Sequence, residues 1–165
     1  MSRGAADPER FVLNLGIITV AWTETELVLD EIIRILWHRF DRHLRHKEMP
    51  RTSLKRKLEF ATDYFRFNAD LAPVKEEALA LLSRMKFLAD ERHWCAHGAV
   101  LDLHLGQGTY NFTRYSVAKN KQTEETKPVT ADDLDNLSTH LIIFSDALAR
   151  FLVRLEAATP RLLLA

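Results

Sequence analysis

Two side chains between residues 90 and 98 have the types and the spacing to do chemistry. The run reads Asp-Glu-Arg-His-Trp-Cys-Ala-His-Gly, with the arginine at position 92 and the second histidine at position 97. His97 can exchange protons near neutral pH, because the unperturbed pKa of an imidazole is about 6.5. Arg92 keeps its charge and offers a fork of N–H donors that fits phosphate oxygens. One residue can therefore move protons, and the other can bind an anion.

Arg92 stands where the helical pattern calls for an apolar side chain. The seam of the predicted third helix consists of Val74, Ala78, Leu81, Met85 and Leu88, and the next seam position is Arg92. Burying an unpaired guanidinium would cost too much free energy, so Arg92 must be paired or must face a cleft. The sequence leaves two interpretations open. Arg92 forms a structural ion pair with Glu26 or Glu24 of the first helix, or it marks a functional site.

The segment from Arg92 to Gly98 resembles the R-x4-6-H signature of the HEPN superfamily. Four residues separate Arg92 from His97, and His93 takes the place of the asparagine that most often follows the arginine in that superfamily. The long first helix, the position of the motif at the end of a long third helix and the final amphipathic helix are also similar to small HEPN proteins.

The resemblance implies metal-independent cleavage of RNA through attack by the 2′-hydroxyl, which leaves 2′,3′-cyclic phosphate ends. In that superfamily the arginine and the histidine act at a dimer interface. The resemblance therefore implies Arg92 and His97 as catalytic residues, RNA as substrate, a homodimer and no cofactor. His93, Glu26 and Glu91 are the expected supporting residues. A toxin or defence setting would add an antitoxin or another regulatory protein as a partner.

Helical geometry places a condition on this pair of residues. At about 100° per residue, Arg92 and His97 lie about 140° apart around the helix axis. They do not share a face, so they converge only at a frayed helix end or across two chains. A two-fold dimer would supply two histidines, one for each proton transfer, which makes dimerisation part of the expected mechanism.

Two other functions remain open from the residues alone. His93 and His97 lie about 40° apart, which is metal-ligand spacing on a helix, but Trp94 stands where a zinc-binding motif would carry Glu. A His-based metal-binding bundle is the weaker alternative, and no metal ligand is assigned. Cys95 has no visible base and is expected to be a small core residue. The other alternative is a noncatalytic helical dimerisation or interaction module with the same fold.

The net charge is zero, with 23 Lys and Arg against 23 Asp and Glu, but the charge is unevenly distributed. Between positions 34 and 57, nine bases stand against two acids, a local balance of +7. Such a segment could bind the phosphate backbone of a nucleic acid. The residues expected to contact nucleic acid are Arg42, Arg45, Lys55, Arg56 and Lys57. The alternative is a solvated helix end whose charge is offset by acids after Glu124.

The elements that must position these residues are four helices and a β-hairpin. The predicted fold class is all-α, a four-helix up-and-down bundle with a small β-hairpin inserted before the last helix. The hairpin is expected over about residues 99–118, followed by a polar loop at 120–127. Its aromatic residues Tyr110, Phe112 and Tyr115 could stack on bases, although packing against the helices is the favoured interpretation.

Local signals set the expected helix ends. The first helix begins after Asp7 with Pro8 and extends to about Arg42. Thr52 or Ser53 caps the second. Pro73 opens the third, which Gly98 ends. Thr130 and Asp133 resemble a capping box at the start of the last helix.

Composition fits a single domain over residues 8–158, with a flexible N-terminus at 1–7 and a tail at 159–165. Apolar residues make up 47% and charged residues 28% of the 165 positions, which excludes a disordered chain. The longest uncharged stretch, Phe11 to Thr23, has 13 residues and is short for a membrane span. With one cysteine and no targeting signal, the expected location is the cytoplasm, away from membranes.

Overall fold

The computed structural model describes residues 8–40, 48–50, 52–104, 109–118 and 121–158. Several predictions concern residues outside these ranges. They are the flexible N-terminus at 1–7, the tail at 159–165, and the nucleic-acid contacts of Arg42 and Arg45.

In the part of the chain that the structure describes, four α helices and three β strands follow one another. They are α1 (Pro8–Phe40), α2 (Leu54–Phe67), α3 (Lys75–His97), β1 (Ala99–His104), β2 (Thr109–Ala118), β3 (Lys121–Thr130) and α4 (Ala131–Ala158). A 3-10 helix, Ala69–Val74, leads into α3. The predicted class, a helical chain with a β-hairpin before its last helix, is confirmed.

The sheet contains one strand more than the sequence pattern predicted. β2 lies in the middle of an antiparallel sheet in the order β1-β2-β3, and it pairs with β3 from Thr109 opposite Thr130 to Ala118 opposite Lys121. The segment predicted as a polar loop at 120–127 is therefore mostly strand. Pro128 is tolerated within β3 because β3 is an edge strand, where a missing N–H removes no bond to a further strand.

Helix ends follow the predicted local chemistry with one difference. Ser53 caps α2, and its hydroxyl accepts a hydrogen bond from the Arg56 backbone N–H at 3.5 Å. Pro73 does not open α3, because it lies inside the preceding 3-10 helix and α3 begins at Lys75. The φ angle that proline fixes at about −65° is compatible with the backbone of this short helix.

The predicted capping box at the start of α4 is confirmed. The Thr130 backbone N–H donates to the Asp133 carboxylate at 2.8 Å, and the Asp133 N–H donates to the Thr130 hydroxyl at 3.1 Å. The Thr130 hydroxyl also donates to the same carboxylate oxygen at 2.7 Å. These bonds from the backbone and side chain of Thr130 lower the pKa of Asp133.

The predicted single domain contains two compact units, each formed by segments distant in sequence. Unit 1 comprises the described parts of Met1–Trp22 and Leu88–Ile142, and unit 2 those of Thr23–Phe87 and Ile143–Ala165. Unit 1 holds the sheet and the end of α3, and unit 2 holds α2.

Unit 1 is built around aromatic contacts between α1 and β2. The ring centroid of Phe11 lies 4.2 Å from that of Tyr110 and 6.0 Å from that of Phe112, and both β2 rings are fully buried. The favoured interpretation of the hairpin aromatics is therefore confirmed for these two residues. Tyr115 is exposed.

Unit 2 has a helical core in which aromatic rings contact one another. Within α2, the ring centroids of Phe60 and Tyr64 lie 4.5 Å apart. The ring of Phe65 meets that of Phe151 in α4 edge-on, with 5.8 Å between the centroids. A buried ammonium, that of Lys57, lies against this apolar side of α2 and pairs with Asp30 of α1.

Helix α1 is long and apolar enough to cross a membrane by length and composition alone, and 33% of its most apolar stretch is buried inside the protein. It meets this criterion although its uncharged run is short. The core helix of a soluble protein meets the same criterion, so the length and composition of α1 are weak evidence for a membrane span. The expected cytoplasmic location and absence of membrane contact stay predictions.

We expect Asp133→Ala to lower the free energy of unfolding at neutral pH by about 1 kcal/mol, because it removes the reciprocal cap. The lowered pKa fixes the sign of the pH dependence. The carboxylate stabilises the fold fully above the pKa of an unfolded aspartate, about 3.9, and stops doing so as the pH falls through its folded pKa. Urea unfolding should therefore show the difference shrinking below about pH 4.

Asp132→Ala is the matched control, since it removes a first-turn carboxylate whose contact is an exposed ion pair with Arg10. Exposed pairs contribute little, so this variant should lose less stability. Equal losses in both variants would show that helix-dipole charge, and not the cap, stabilises the start of α4.

Candidate functional site

The motif occupies the last turns of α3, and the helix ends there because the sheet approaches closely. The Gly98 N–H donates to the Trp94 carbonyl at 3.0 Å, which closes the helix as predicted. A Cβ on Gly98 would lie 2.5 Å from that carbonyl oxygen and 3.0 Å from the Phe112 side chain. Only glycine fits this junction, so β1 begins immediately beyond the motif.

Arg92 is half-buried and lies against an aromatic ring. Its guanidinium carbon is 5.7 Å from the ring centroid of Trp22, whose side chain is 2% exposed. This cation–π contact offsets part of the cost of removing the charge from water. Within the described part of unit 1, no hydrogen bond or ion pair involves Arg92. The contact with Trp22 leaves its N–H donors uncommitted to any carboxylate of that unit.

The predicted pairing of Arg92 with an acid of the first helix stays a prediction. Glu26, which is half-buried, and Glu24, which is exposed, both belong to unit 2, whereas Arg92 belongs to unit 1. The contact that the structure establishes for Arg92 on α1 is the one with Trp22, one helical turn before Glu26.

The structure describes the side chain of one of the two motif histidines. His93 is exposed on α3. His97 is the last residue of the helix, and its side chain falls outside what the structure describes. The convergence of Arg92 with His97 therefore stays a prediction.

A cluster of side chains that the sequence pattern did not predict joins α3 to the sheet. Arg114 of β2 stacks over the Trp94 ring at 4.1 Å, and the Lys127 ammonium of β3 lies 6.0 Å from the same centroid. Lys127 also pairs with Glu91 of α3, with 2.7 Å between Nζ and Oε2. Glu91, predicted as a supporting residue, thus contacts the sheet.

The sequence contains a signal for this cluster, namely opposite charges on β2 and on the strand β3 that was not predicted. Arg114 stands directly opposite Glu125 and donates two hydrogen bonds to it, at 2.6 and 2.9 Å. Opposite charges in cross-strand positions stabilise a sheet, so this pair would have indicated a β2–β3 pairing.

The three cations around the motif differ in what neutralises them. Arg114 is paired with Glu125, and Lys127 is paired with Glu91. Arg92 contacts the π face of Trp22. Since a π face offsets the charge of a cation less completely than a carboxylate does, the charge of Arg92 is the least offset of the three by contacts within unit 1.

Cys95 is half-buried, and its thiol donates weakly to the Glu91 carbonyl at 3.8 Å. Burial raises the pKa of the Cys95 thiol to about 11, although the charge of Lys127 opposes that rise. At neutral pH the thiol is protonated, which makes it a poor nucleophile.

The basic segment presents fewer free charges than its sequence suggests. The Lys57 side chain is 8% exposed, and its ammonium lies 2.5 Å from the Asp30 carboxylate. A buried lysine needs such a partner, and its charge is thereby withdrawn from a phosphate backbone. Lys55 and Arg56 are exposed and stay candidates for nucleic-acid contact.

The metal alternative gains no support from the residues that the structure describes. Among them, no group of three or more His, Cys, Asp or Glu side chains is placed to hold a metal ion. The side chain of His97 lies outside the described part of the chain.

No protein-family model, no curated protein and no solved structure matches this chain. The resemblance to the HEPN superfamily therefore rests on residues 92–98 and on the order of the elements.

We expect Cys95 in the folded protein to react slowly with iodoacetamide, with a rate that rises towards about pH 11 because only the thiolate reacts. Mass spectrometry of the alkylated protein measures this rate. The urea-unfolded chain is the control, and its rate should rise around about pH 8.5, as for an ordinary cysteine. Rapid alkylation of the folded protein at neutral pH would contradict the protonated, buried state.

Proposed function

We propose that this protein is a metal-independent endoribonuclease of the HEPN type. RNA is the substrate, the 2′-hydroxyl attacks the neighbouring phosphate, and the products carry 2′,3′-cyclic phosphate and 5′-hydroxyl ends. The protein works as a homodimer, and no cofactor takes part.

The observation that carries this proposal is the state of Arg92. The Arg92 guanidinium lies on a buried ring, and no carboxylate of its own unit is bonded to it, which supports a role in binding phosphate. Negative charge accumulates on the phosphate oxygens as the 2′-oxygen attacks. A fixed cation with parallel N–H donors stabilises that charge more in the transition state than in the ground state.

His97 supplies the proton chemistry in this proposal. One imidazole takes the proton of the 2′-hydroxyl, and a second one protonates the 5′-oxygen that leaves. Cys95 is unsuited to either step because its thiol stays protonated with a pKa of about 11. The second copy of the chain provides the second His97.

The test is cleavage of labelled RNAs of varied sequence in EDTA by the wild type and by Arg92→Ala and His97→Ala. Losing one general acid–base group costs about 10²–10⁴-fold, and losing one charge-stabilising donor costs about 10²–10³-fold. We expect losses of that size in kcat/KM, together with cyclic phosphate ends detected by mass spectrometry. Arg150→Ala is the matched control, because Arg150 is an exposed arginine paired with Asp146 in unit 2.

Two outcomes would reject the mechanism: no cleavage by the wild type, or full cleavage by both motif variants. Cleavage that requires an added divalent cation would instead support the metal-binding alternative.

A noncatalytic dimerisation module is the second candidate, and the outer side of α1 favours it. Val12, Leu13 and Val20 are 67%, 62% and 60% exposed. Gly16 lies between the two valines on one i, i+4 row, and an added Cβ there would meet nothing within 4 Å. Glycine is unfavourable in a helix, but here it forms a notch between two apolar ridges.

We propose that a second copy of α1 packs on this outer side. Rows spaced by four residues interdigitate when two helices cross, and the notch at Gly16 admits the ridge of its partner. Three aliphatic side chains, each about two-thirds exposed, present on the order of 200 Å² per copy. That area fits the apolar centre of an interface of about 800 Å² per partner with a polar rim.

Light scattering coupled to size exclusion tests this candidate. We expect a dimer for the wild type and a monomer for Val20→Glu, because a carboxylate would be desolvated in the notch. Val153→Glu is the matched control, since Val153 is 65% exposed on α4 in unit 2, and it should remain a dimer. A monomeric wild type, or binding of the wild type to neutral lipid vesicles through this helix, would reject the second-copy interface.

A further inference from the structure

The last turns of α3 are held on the sheet by three contacts that lie on one side of the helix. Glu91 pairs with Lys127, Trp94 is flanked by the two sheet cations, and Gly98 abuts Phe112. At about 100° per residue, positions 91, 94 and 98 fall within about 60° of one another. The contacts therefore form one continuous attachment, which we call the clasp, consisting of Glu91, Trp94, Arg114 and Lys127.

The clasp is built on a rigid base. Arg114 is fixed by its two bonds to Glu125, and β2 and β3 pair without a break over ten residues each. Phe112 stands opposite Lys127 in that register and is buried against Phe11. The strands that carry Arg114 and Lys127 are thus attached to a buried aromatic core, which supports a positioning role for the contacts that they make with α3.

The clasp and Arg92 occupy different sides of the same two turns. Position 92 is about 100° from position 91 around the helix axis, and the Arg92 guanidinium rests on Trp22 of α1. The helix end is thus held on one side by β2 and β3, while the arginine is supported on another by α1. Among the described residues, no clasp side chain accepts a hydrogen bond from Arg92.

We infer that the clasp positions the end of α3, and that Glu91, Trp94, Arg114 and Lys127 are positioning residues that set the rate of RNA cleavage without touching the RNA. This inference rests on the proposed function. Residues 92–97 belong to the segment that the clasp holds, so a displaced helix end would misalign the reacting groups. Misplacement by about 1 Å can cost about 10²-fold in rate.

The inference predicts a specific kinetic pattern. Trp94→Leu removes the ring on which both cations act, and it should lower kcat by about 10–100-fold while KM changes by less than about threefold. Trp94→Phe retains an aromatic face and should recover most of kcat. Glu91→Lys and Lys127→Glu should each lower kcat, and the double variant should restore it because the ion pair is re-formed with reversed polarity.

A second measurement is independent of cleavage. Amide hydrogen exchange of residues 93–97 reports whether the last turn of α3 opens, and Trp94→Leu should accelerate it by about tenfold or more. Arg150→Met is the matched control for loss of an ordinary exposed ion pair, and it should change neither exchange there nor kcat. Thermal unfolding of every variant identifies any that have lost the fold as a whole.

The outcomes separate this inference from the proposed function. If the wild type cleaves no RNA, the proposed function fails, and the clasp is then judged by exchange alone. Unchanged exchange in folded Trp94→Leu would overturn the clasp, whatever the activity. Accelerated exchange with an unchanged kcat would show that the clasp does not position the site. If the charge-reversed double variant does not regain kcat, the Glu91–Lys127 ion pair is not part of the clasp.

Discussion

The half-buried guanidinium of Arg92 is the constraint on which the rest of the site depends. An arginine cannot shed its proton to relieve the cost of burial, so its surroundings must stabilise the charge. The π face of Trp22 does so without using the N–H donors. A carboxylate in the same place would have stabilised the cation more strongly and would also have occupied those donors. Within unit 1, this contact leaves the N–H donors of a half-buried cation without a carboxylate partner.

The two other cations near Arg92 also have partners that offset their charge. Two further cations lie near the end of α3, and each is paired with its own acid on the sheet or the helix. These pairs are partly exposed, so they add little to stability by themselves. Their effect is geometric, because they direct Arg114 and Lys127 onto Trp94 and fasten the helix end. The side chains that attach the helix end are thus different from Arg92, the residue proposed to bind phosphate.

Local signals predicted much of this architecture. The cap by Ser53, the reciprocal bonds of Thr130 with Asp133 and the helix stop at Gly98 depend on residues close in sequence. The third strand was missed because an edge strand with polar side chains on both faces lacks alternation. The burial of Lys57 was missed because its partner, Asp30, is distant in sequence. The contact of Arg92 with Trp22 could not be distinguished from one with Glu26, since these residues lie one turn apart on α1.

The contacts around the motif also limit which groups can carry protons. Glu91 is engaged by Lys127, and the thiol of Cys95 stays protonated because burial raises its pKa to about 11. Among residues 90–98 the groups suited to proton exchange at neutral pH are then the two histidines. Cleavage through the 2′-hydroxyl needs one acceptor and one donor, so a single His97 completes half of that chemistry. The proposed mechanism takes the second imidazole from His97 of a second copy of the chain, and His93 of the same chain is the alternative source.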